Sequence, residues 1–330
     1  MTQQHRRSTS EPVGILAAGP VSARRSRSLT GDAMRRLMHN RLAIIGLIGT
    51  LVLIFTGLFG PYLTPYDYLK QDLRRVAEPP TLDHLLGTDD VGRDFLSRIM
   101  YGARTAVAVS VIVTSASILL GVILGSIAAY GGGRVDWLIM RLTDVVMAIP
   151  SLLLAAMVDA VVKRRVADYV EALYRQTQWD ILKNTTYLDY FLVFGSLAFV
   201  FWPGYARLIR GQILSLKKKE FVEAARMVGL TESGIICKYL VPNALGPIIV
   251  AATFGFAGAI TLEASLSYLG VGIQPPGASW GNMLSSNLQL WRSKPWLVLT
   301  PALVLGIFTL CINFLGDGLI DALDPRRGKR

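Results

Sequence analysis

"TAVAVSVIVTSASILLGVILGSIAAY", Thr105 to Tyr130, is a run of 26 residues without a single charge. Lipid offers no partner to a bare peptide N–H or C=O, so an apolar run of this length reads as a helix crossing the hydrocarbon, which takes roughly 20 residues. A second uncharged run, "LAIIGLIGTLVLIFTGLFG", covers Leu42 to Gly60. Weaker apolar stretches follow at about Val145 to Val162, Phe191 to Ala206, Ala244 to Leu262 and Leu297 to Gly316. The expectation is an all-α polytopic membrane protein with six transmembrane helices.

The composition agrees. Hydrophobic residues make up 52% of the 330 and charged residues only 17%, which departs from a soluble globular domain. The net charge of +11 could suggest nucleic acid, but much of it lies in an Arg/Ser tail before the first span and in loops beside spans. Anionic lipid headgroups suit that placement better. The tail and every second loop carry 21 of the 34 Lys and Arg residues. This excess assigns the tail, the turn at 131–144, the segment 217–243 and the C-terminus to the cytoplasm.

The chain accordingly divides into a disordered basic tail (1–40) and a first transmembrane helix with an outer amphipathic segment (41–104). A transmembrane core (105–320), with an outer insertion at 158–190, and a short C-terminal tail (321–330) follow. "ARRSRSL" in the N-terminal tail resembles a twin-arginine export signal, but the apolar run begins too far downstream and no convincing cleavage site follows. An organellar transit peptide is the other reading of that tail.

Familiar catalytic patterns are missing from the sequence. The one Gly-Lys pair, Gly328-Lys329, is followed by the chain-terminal Arg330 rather than a Walker A helix. There is no His-Glu-x-x-His and no Gly-x-Ser-x-Gly. Two cysteines, Cys237 and Cys311, do not make a disulfide framework, three scattered histidines do not make a metal site, and the sequon at Asn184 is read as chance. Asp159 and Glu263 are the ionisable groups nearest to lying inside a span.

Between spans four and five lies "KKKEFVEAARMVGLTESGIICKYLVPNALGP", Lys217 to Pro247. Phe221, Ala224, Ala225 and Val228 fall on one face of a short helix. Gly229 supplies a left-handed stop, Thr231 a cap for a second helix, and Pro242 a stop or kink in that helix. On pattern alone this is either an interfacial helix held by anionic lipid or a docking element for a soluble partner.

Glu223-Ala224-Ala225 with Gly229 and Pro242 resembles the EAA loop of bacterial ABC importer permeases; the usual Ile-x-Leu-Pro ending reads Tyr239-Leu240-Val241-Pro242. Four further blocks resemble the C-type permease subunit of dipeptide, oligopeptide and nickel importers. They are "HLLGTDDVGRDFLSRIMYGARTAV" (His84 to Val107), "AIPSLLLA" (Ala148 to Ala155), "ASLSYLGVGIQPPGASWGNML" (Ala264 to Leu284) and "NFLGDGLIDALDPR" (Asn313 to Arg326). The resemblance implies a type I ABC importer permease fold in the bacterial cytoplasmic (inner) membrane, with both termini inside. It implies a homologous permease subunit, two ATP-binding subunits and an extracytoplasmic substrate-binding protein as partners. The chain itself would bind no cofactor, ATP and Mg being used by the partner ATPases. Glu223, Ala224, Ala225, Gly229 and Pro242 would then form the coupling element, and the solute would be a dipeptide or oligopeptide, with nickel as the alternative. A secondary transporter driven by an ion gradient is the competing class, and would call for ligands near the bilayer midplane at broken helices.

Other positions carry two readings each. Asp89, Asp90, Arg93, Pro275 and Trp280 are candidate contacts for the binding protein, or a solvated charged turn and an interfacial aromatic. Pro150 and Pro203, with Pro247, are candidate gate kinks, or ordinary packing. Glu263, at the outer end of span five, lines the pathway, or else pairs with a loop arginine or reaches water. Gly121 and Gly125 form a Gly-x-x-x-Gly step for close helix approach. Asp317, Asp321 and Asp324 space along a helix after span six. The stretch 158–190 is longer than the outer connection of the family it resembles, with Val166, Val170, Leu173 and Tyr174 suggesting an amphipathic helix outside the membrane.

Overall fold

The computed structural model describes residues 29–179 and 185–323. Most of the basic tail, Asn184 and the stretch from Asp324 onward lie outside the described residues. The elements are α1 (Leu29–Leu37), α2 (Arg41–Leu63), α3 (Phe95–Gly131), α4 (Gly133–Ala148), α5 (Ser151–Thr177) and α6 (Thr185–Leu216). They continue with α7 (Glu220–Met227), α8 (Glu232–Ile235), a π turn (Ile236–Leu240), α9 (Val241–Asn243), α10 (Leu245–Tyr268), α11 (Trp280–Asn287) and α12 (Trp296–Leu323). Five single helices are long and apolar enough to cross a membrane, and α4 with α5 makes a sixth span if the bent pair is one. The end bearing α7 is called the inner end, following the cation bias.

The third span is not the helix that the sequence suggests. Its expected course, Val145 to Val162, contains the break between α4 and α5, where the axes turn by 96°. The residue before a proline is pushed out of helical geometry, and Ile149 is extended at φ −94 and ψ 134 before Pro150. Val146 and Leu154, on either side of the break, pack on Trp202 near the middle of α6. Beyond it α5 runs unbroken through the region read as a separate outer helix.

Two more expectations are corrected. Residues 29–37 of the basic tail are helical, and Leu37 is buried against Ala43, Leu319 and Ala322. The outer segment before α3 forms no amphipathic helix; it is a series of turns with one isolated bridge, Thr88 to Asp94, built on buried charge. Asp89 Oδ2 takes the Nε of Arg93 at 2.6 Å and lies 3.4 Å from the Nε of Arg98, and the side chains of all three are under a tenth exposed. Asp94 caps α3 by accepting from Ser97 N at 2.8 Å and also meets His84 Nδ1 at 2.8 Å. Burial, and behind it the neighbouring Asp89, raises the carboxyl of Asp90 above the ordinary range.

α3 is the central helix, packed along α6 and against α2 and α10. The Gly-x-x-x-Gly step makes its close approach: a Cβ on Gly121 would stand 2.5 Å from Tyr205 Cβ, and one on Gly125 2.5 Å from the carbonyl oxygen of Ala206. Backbone lies behind both, so nothing yields easily. Gly125→Leu should destabilise the purified chain by about 3 kcal/mol, at the upper end for overpacking, measured as a fall in thermal midpoint in detergent.

Candidate functional site: a coupling surface and a transmembrane groove

The charged island after α6 folds as a helix, a sharp turn and a second helix. α7 has eight residues, too few to stand alone in water, so it depends on what lies beneath. Val222 and Ala225 are its buried residues, and they join Ile209, Ile213, Ile235, Leu240 and Ile248 in one cluster at the inner ends of α6 and α10. The buried face is therefore Val222 and Ala225 and not the whole expected stripe. Phe221 is 38% exposed and Val228 83%, and Ala224 faces outward with them. The two stripes differ by a rotation of one residue, which the alanine pair leaves undecided in sequence.

The turn closes with a Schellman motif. Gly229 N–H donates to Arg226 O at 2.9 Å and Leu230 N–H to Ala225 O at 3.2 Å, satisfying carbonyls that end a helix without partners. Gly229 has φ +84, a conformation that costs glycine nothing. Thr231 accepts from Gly234 N at 3.3 Å as the next cap, and Arg226 Nε lies 3.4 Å from Glu232 Oε1 across the turn.

Pro242 does not stop the second helix. Lacking an N–H, it cannot continue the usual ladder, and the chain widens into the π turn just before it, Val241 N–H donating to Ile236 O. Leu240, within the departure Tyr239-Leu240-Val241-Pro242, is fully buried.

α4 is tied to the inner half of α6 by two arginines. Arg210 grips Asp136 with Nε at 2.5 Å and Nη2 at 2.6 Å, a paired arrangement that fixes orientation as well as charge. Arg207 donates Nε to Thr143 Oγ1 at 3.2 Å and pairs with Asp144.

A groove of about 580 Å³ opens beside the α4–α5 break. Ser151 and Leu152 of α5, Phe201 of α6, Thr261 and Ser265 of α10, and Thr309 and Asn313 of α12 line it. Its wall is mostly apolar with a few hydroxyls and one amide. Thr261 Oγ1 donates to Ala257 O at 2.8 Å, while Thr309 Oγ1 is buried with no partner among the described residues. Neither Thr309 nor Asn313 is among the site candidates that the sequence suggests; an amide and a hydroxyl one turn apart in an apolar span are the available signal.

Glu263 is not on this groove. Its neighbours Thr261, Leu262 and Ser265 are, and the 100° step of a helix turns position 263 to the opposite side. There it is 2% exposed and accepts from Ser267 Oγ at 2.6 Å and Ser279 Oγ at 2.8 Å. Ser267 Oγ in turn accepts from Ile273 N at 2.9 Å, so the acid fastens the loop 270–279 to α10. At 2% exposure it does not reach solvent, and among the described residues its partners are serines and not a loop arginine. Glu263→Ala should cost about 2 kcal/mol through the buried serine hydroxyls left without their acceptor, read as a lower thermal midpoint, with no change in which solute is carried.

Pro150 is exposed and precedes Ser151 of the groove wall, but does not itself line the groove. Pro203 lies buried within an unbroken α6, and Pro247 sits in the first turn of α10, where proline is tolerated. Of the five outer-contact candidates, Asp89, Arg93 and Trp280 are 1%, 6% and 2% exposed. Trp280 donates Nε1 to Ile99 O at 3.1 Å and stacks on Phe308; it is core, not an interfacial ring. Asp90 and Pro275 alone of the five reach the surface.

Residues 117–329 match the family described as binding-protein-dependent transport system inner membrane component. Residues 28–80 match the N-terminal transmembrane domain of oligopeptide transport permease C. The chain is 37% identical over 307 residues to the oligopeptide transport system permease protein OppC of Bacillus subtilis, covering 93% of each. It is 38% identical over 304 residues to that organism's dipeptide transport system permease protein DppC, covering 92% of this chain and 88% of the relative. To OppC of Escherichia coli it is 35% identical over 302 residues, covering 91% and 92%.

Proposed function

This chain belongs to the family of binding-protein-dependent transport system inner membrane components, multi-pass proteins of the inner membrane, and from that premise we propose that it is a permease subunit of an ATP-driven importer of dipeptides or oligopeptides. It forms half of a translocation pathway with a homologous permease, its own half being the groove between α5, α6, α10 and α12. Two ATPase subunits bind at the inner end and use ATP and Mg; an extracytoplasmic binding protein delivers the peptide at the other. Both termini are cytoplasmic. The chain performs no hydrolysis of its own.

One observation carries this reading: α7 and its C-cap residue present an exposed face of Ala224, Met227 and Val228 while the other face of the helix is locked into the ends of the spans. Met227 and Val228 are 86% and 83% exposed, an apolar patch of the kind that marks a protein contact. Motion applied there passes through Val222 and Ala225 to α6 and α10, which line the groove. The peptide class is supported by the relatives' names.

The test is uptake of labelled dipeptides, longer peptides and nickel by cells with and without this chain, the partner subunits left in place. Loss of peptide uptake alone is the expected result. Loss of nickel uptake alone, or no change in any, would overturn the peptide assignment.

A further inference from the structure

Asp159 is a carboxyl group with no hydrogen-bond partner among the described residues. It lies on α5, 1% exposed, and neither oxygen meets a hydrogen-bond donor among the described residues. It faces α6, because Ala155, one turn earlier on the same stripe, packs with Val193, Phe194 and Leu197. One turn later on that stripe, Lys163 reaches across to α6 and holds Asp189 at 2.8 Å. Tyr190, the next residue of α6, is engaged instead with Thr105 at 3.3 Å. Among the described residues, the Lys163 ammonium therefore lies between two carboxylates, Asp159 on its own helix and Asp189 on α6.

A buried carboxyl group whose oxygens meet no donor is a costly arrangement, and here it lies one helical turn from a lysine. Residues four apart on a helix are neighbours, so the Lys163 ammonium can be seated on Asp159 by a change of rotamer alone. Seated on Asp189 it ties α5 to α6. Seated on Asp159, the pair is internal to α5 and the tie is gone.

We propose that Lys163 alternates between Asp189 and Asp159 and is a latch that fastens and frees the outer halves of α5 and α6 during transport. α5 also supplies Ser151 and Leu152 to the groove wall, so freeing it from α6 changes the width of the pathway at the turn beside Pro150. All three latch residues fall within 158–190, the stretch that the sequence sets apart as an outer insertion. The proposal rests on the importer reading of the groove.

The experiment uses the full transporter with spin labels on Tyr169→Cys and Phe191→Cys, positions 70% and 73% exposed, in a chain whose Cys237 and Cys311 are replaced by alanine. The unmodified latch should give two label distances, shifting in proportion when a non-hydrolysable ATP analogue is added. Asp159→Asn should leave only the shorter and Asp189→Asn only the longer, each with about tenfold lower uptake of labelled trialanine, as expected when one state is emptied. Asp159→Glu should restore both distances. A purely structural Asp159 predicts the reverse, because the neutral amide removes a buried charge: a higher melting temperature with full uptake. Identical distances in all three chains, or normal uptake in both asparagine variants, overturn the latch and leave the importer reading intact. Distances that switch while no peptide enters would sink the importer reading and leave the latch standing.

Discussion

Gly229→Pro is expected to abolish peptide uptake while the chain still inserts with all of its spans. Proline requires φ near −65°, whereas position 229 has φ +84, and its N–H is the one donated to Arg226 O. The substitution removes a hydrogen bond and forbids the backbone that makes the turn, a loss of about 3 kcal/mol or more. α7 has little cohesion of its own, so it leaves its seat on Ile235 and Leu240. The spans are untouched, since position 229 is exposed and a Cβ there meets nothing within 4 Å. Gly229→Ala separates backbone strain from side-chain volume: it retains the N–H and costs roughly 1–2 kcal/mol for a left-handed alanine, so uptake falls without vanishing. Membrane fractionation, copurification of the ATPase subunits and uptake of a labelled peptide together read the result.

Ala224→Asp and Ala225→Asp separate the two faces of the same helix. Adjacent and chemically identical, the alanines lie on opposite sides of the boundary between solvent and core: Ala225 is 6% exposed and belongs to the inner cluster, whereas Ala224 is exposed. A carboxylate at 225 is buried among aliphatic side chains with no donor, so the expected outcome is loss of folded protein. A carboxylate at 224 meets only water in the free chain, and thermal stability should stay within about 0.5 kcal/mol of the parent. If α7 docks on an ATPase as proposed, the same charge would be desolvated at that contact, and association and uptake should fall by about a hundredfold for a loss of 2–3 kcal/mol. Equal stability of the two variants would contradict the assignment of faces.

The spans were legible where charge was absent. α2 and the apolar part of α3 stand out because lipid tolerates no other residues there, but α3 begins at Phe95, ten residues before the uncharged run. The missed turns carry Arg98 and Arg104, and Arg98 is buried because Asp89 stands beside it, a partnership that composition does not reveal. α6 was cut short for the same reason, its inner half holding Arg207 and Arg210 against the acids of α4. The break at Pro150 was visible as a proline, but a 96° turn depends on what the two arms pack against. Glu263 stands out in sequence as an unusual acid, but of its two serine partners Ser267 lies one turn along α10 and Ser279 comes from the loop that it fastens, a pairing that the sequence does not reveal. The coupling segment was the most legible part, because glycine, threonine cap and proline each act through local backbone chemistry. Only the choice of buried face needed tertiary contacts.

The central claim is that movement of the partner ATPases, and not an ion gradient, drives peptide through this chain. The most direct measurement is uptake of a labelled peptide into vesicles containing the complete transporter, with its ATPase subunits either active or unable to hydrolyse ATP, and with proton and sodium gradients collapsed. The account predicts ATP-dependent accumulation that survives loss of the gradients and disappears with the inactive ATPases. Accumulation that persists with inactive ATPases and follows an imposed gradient would contradict it.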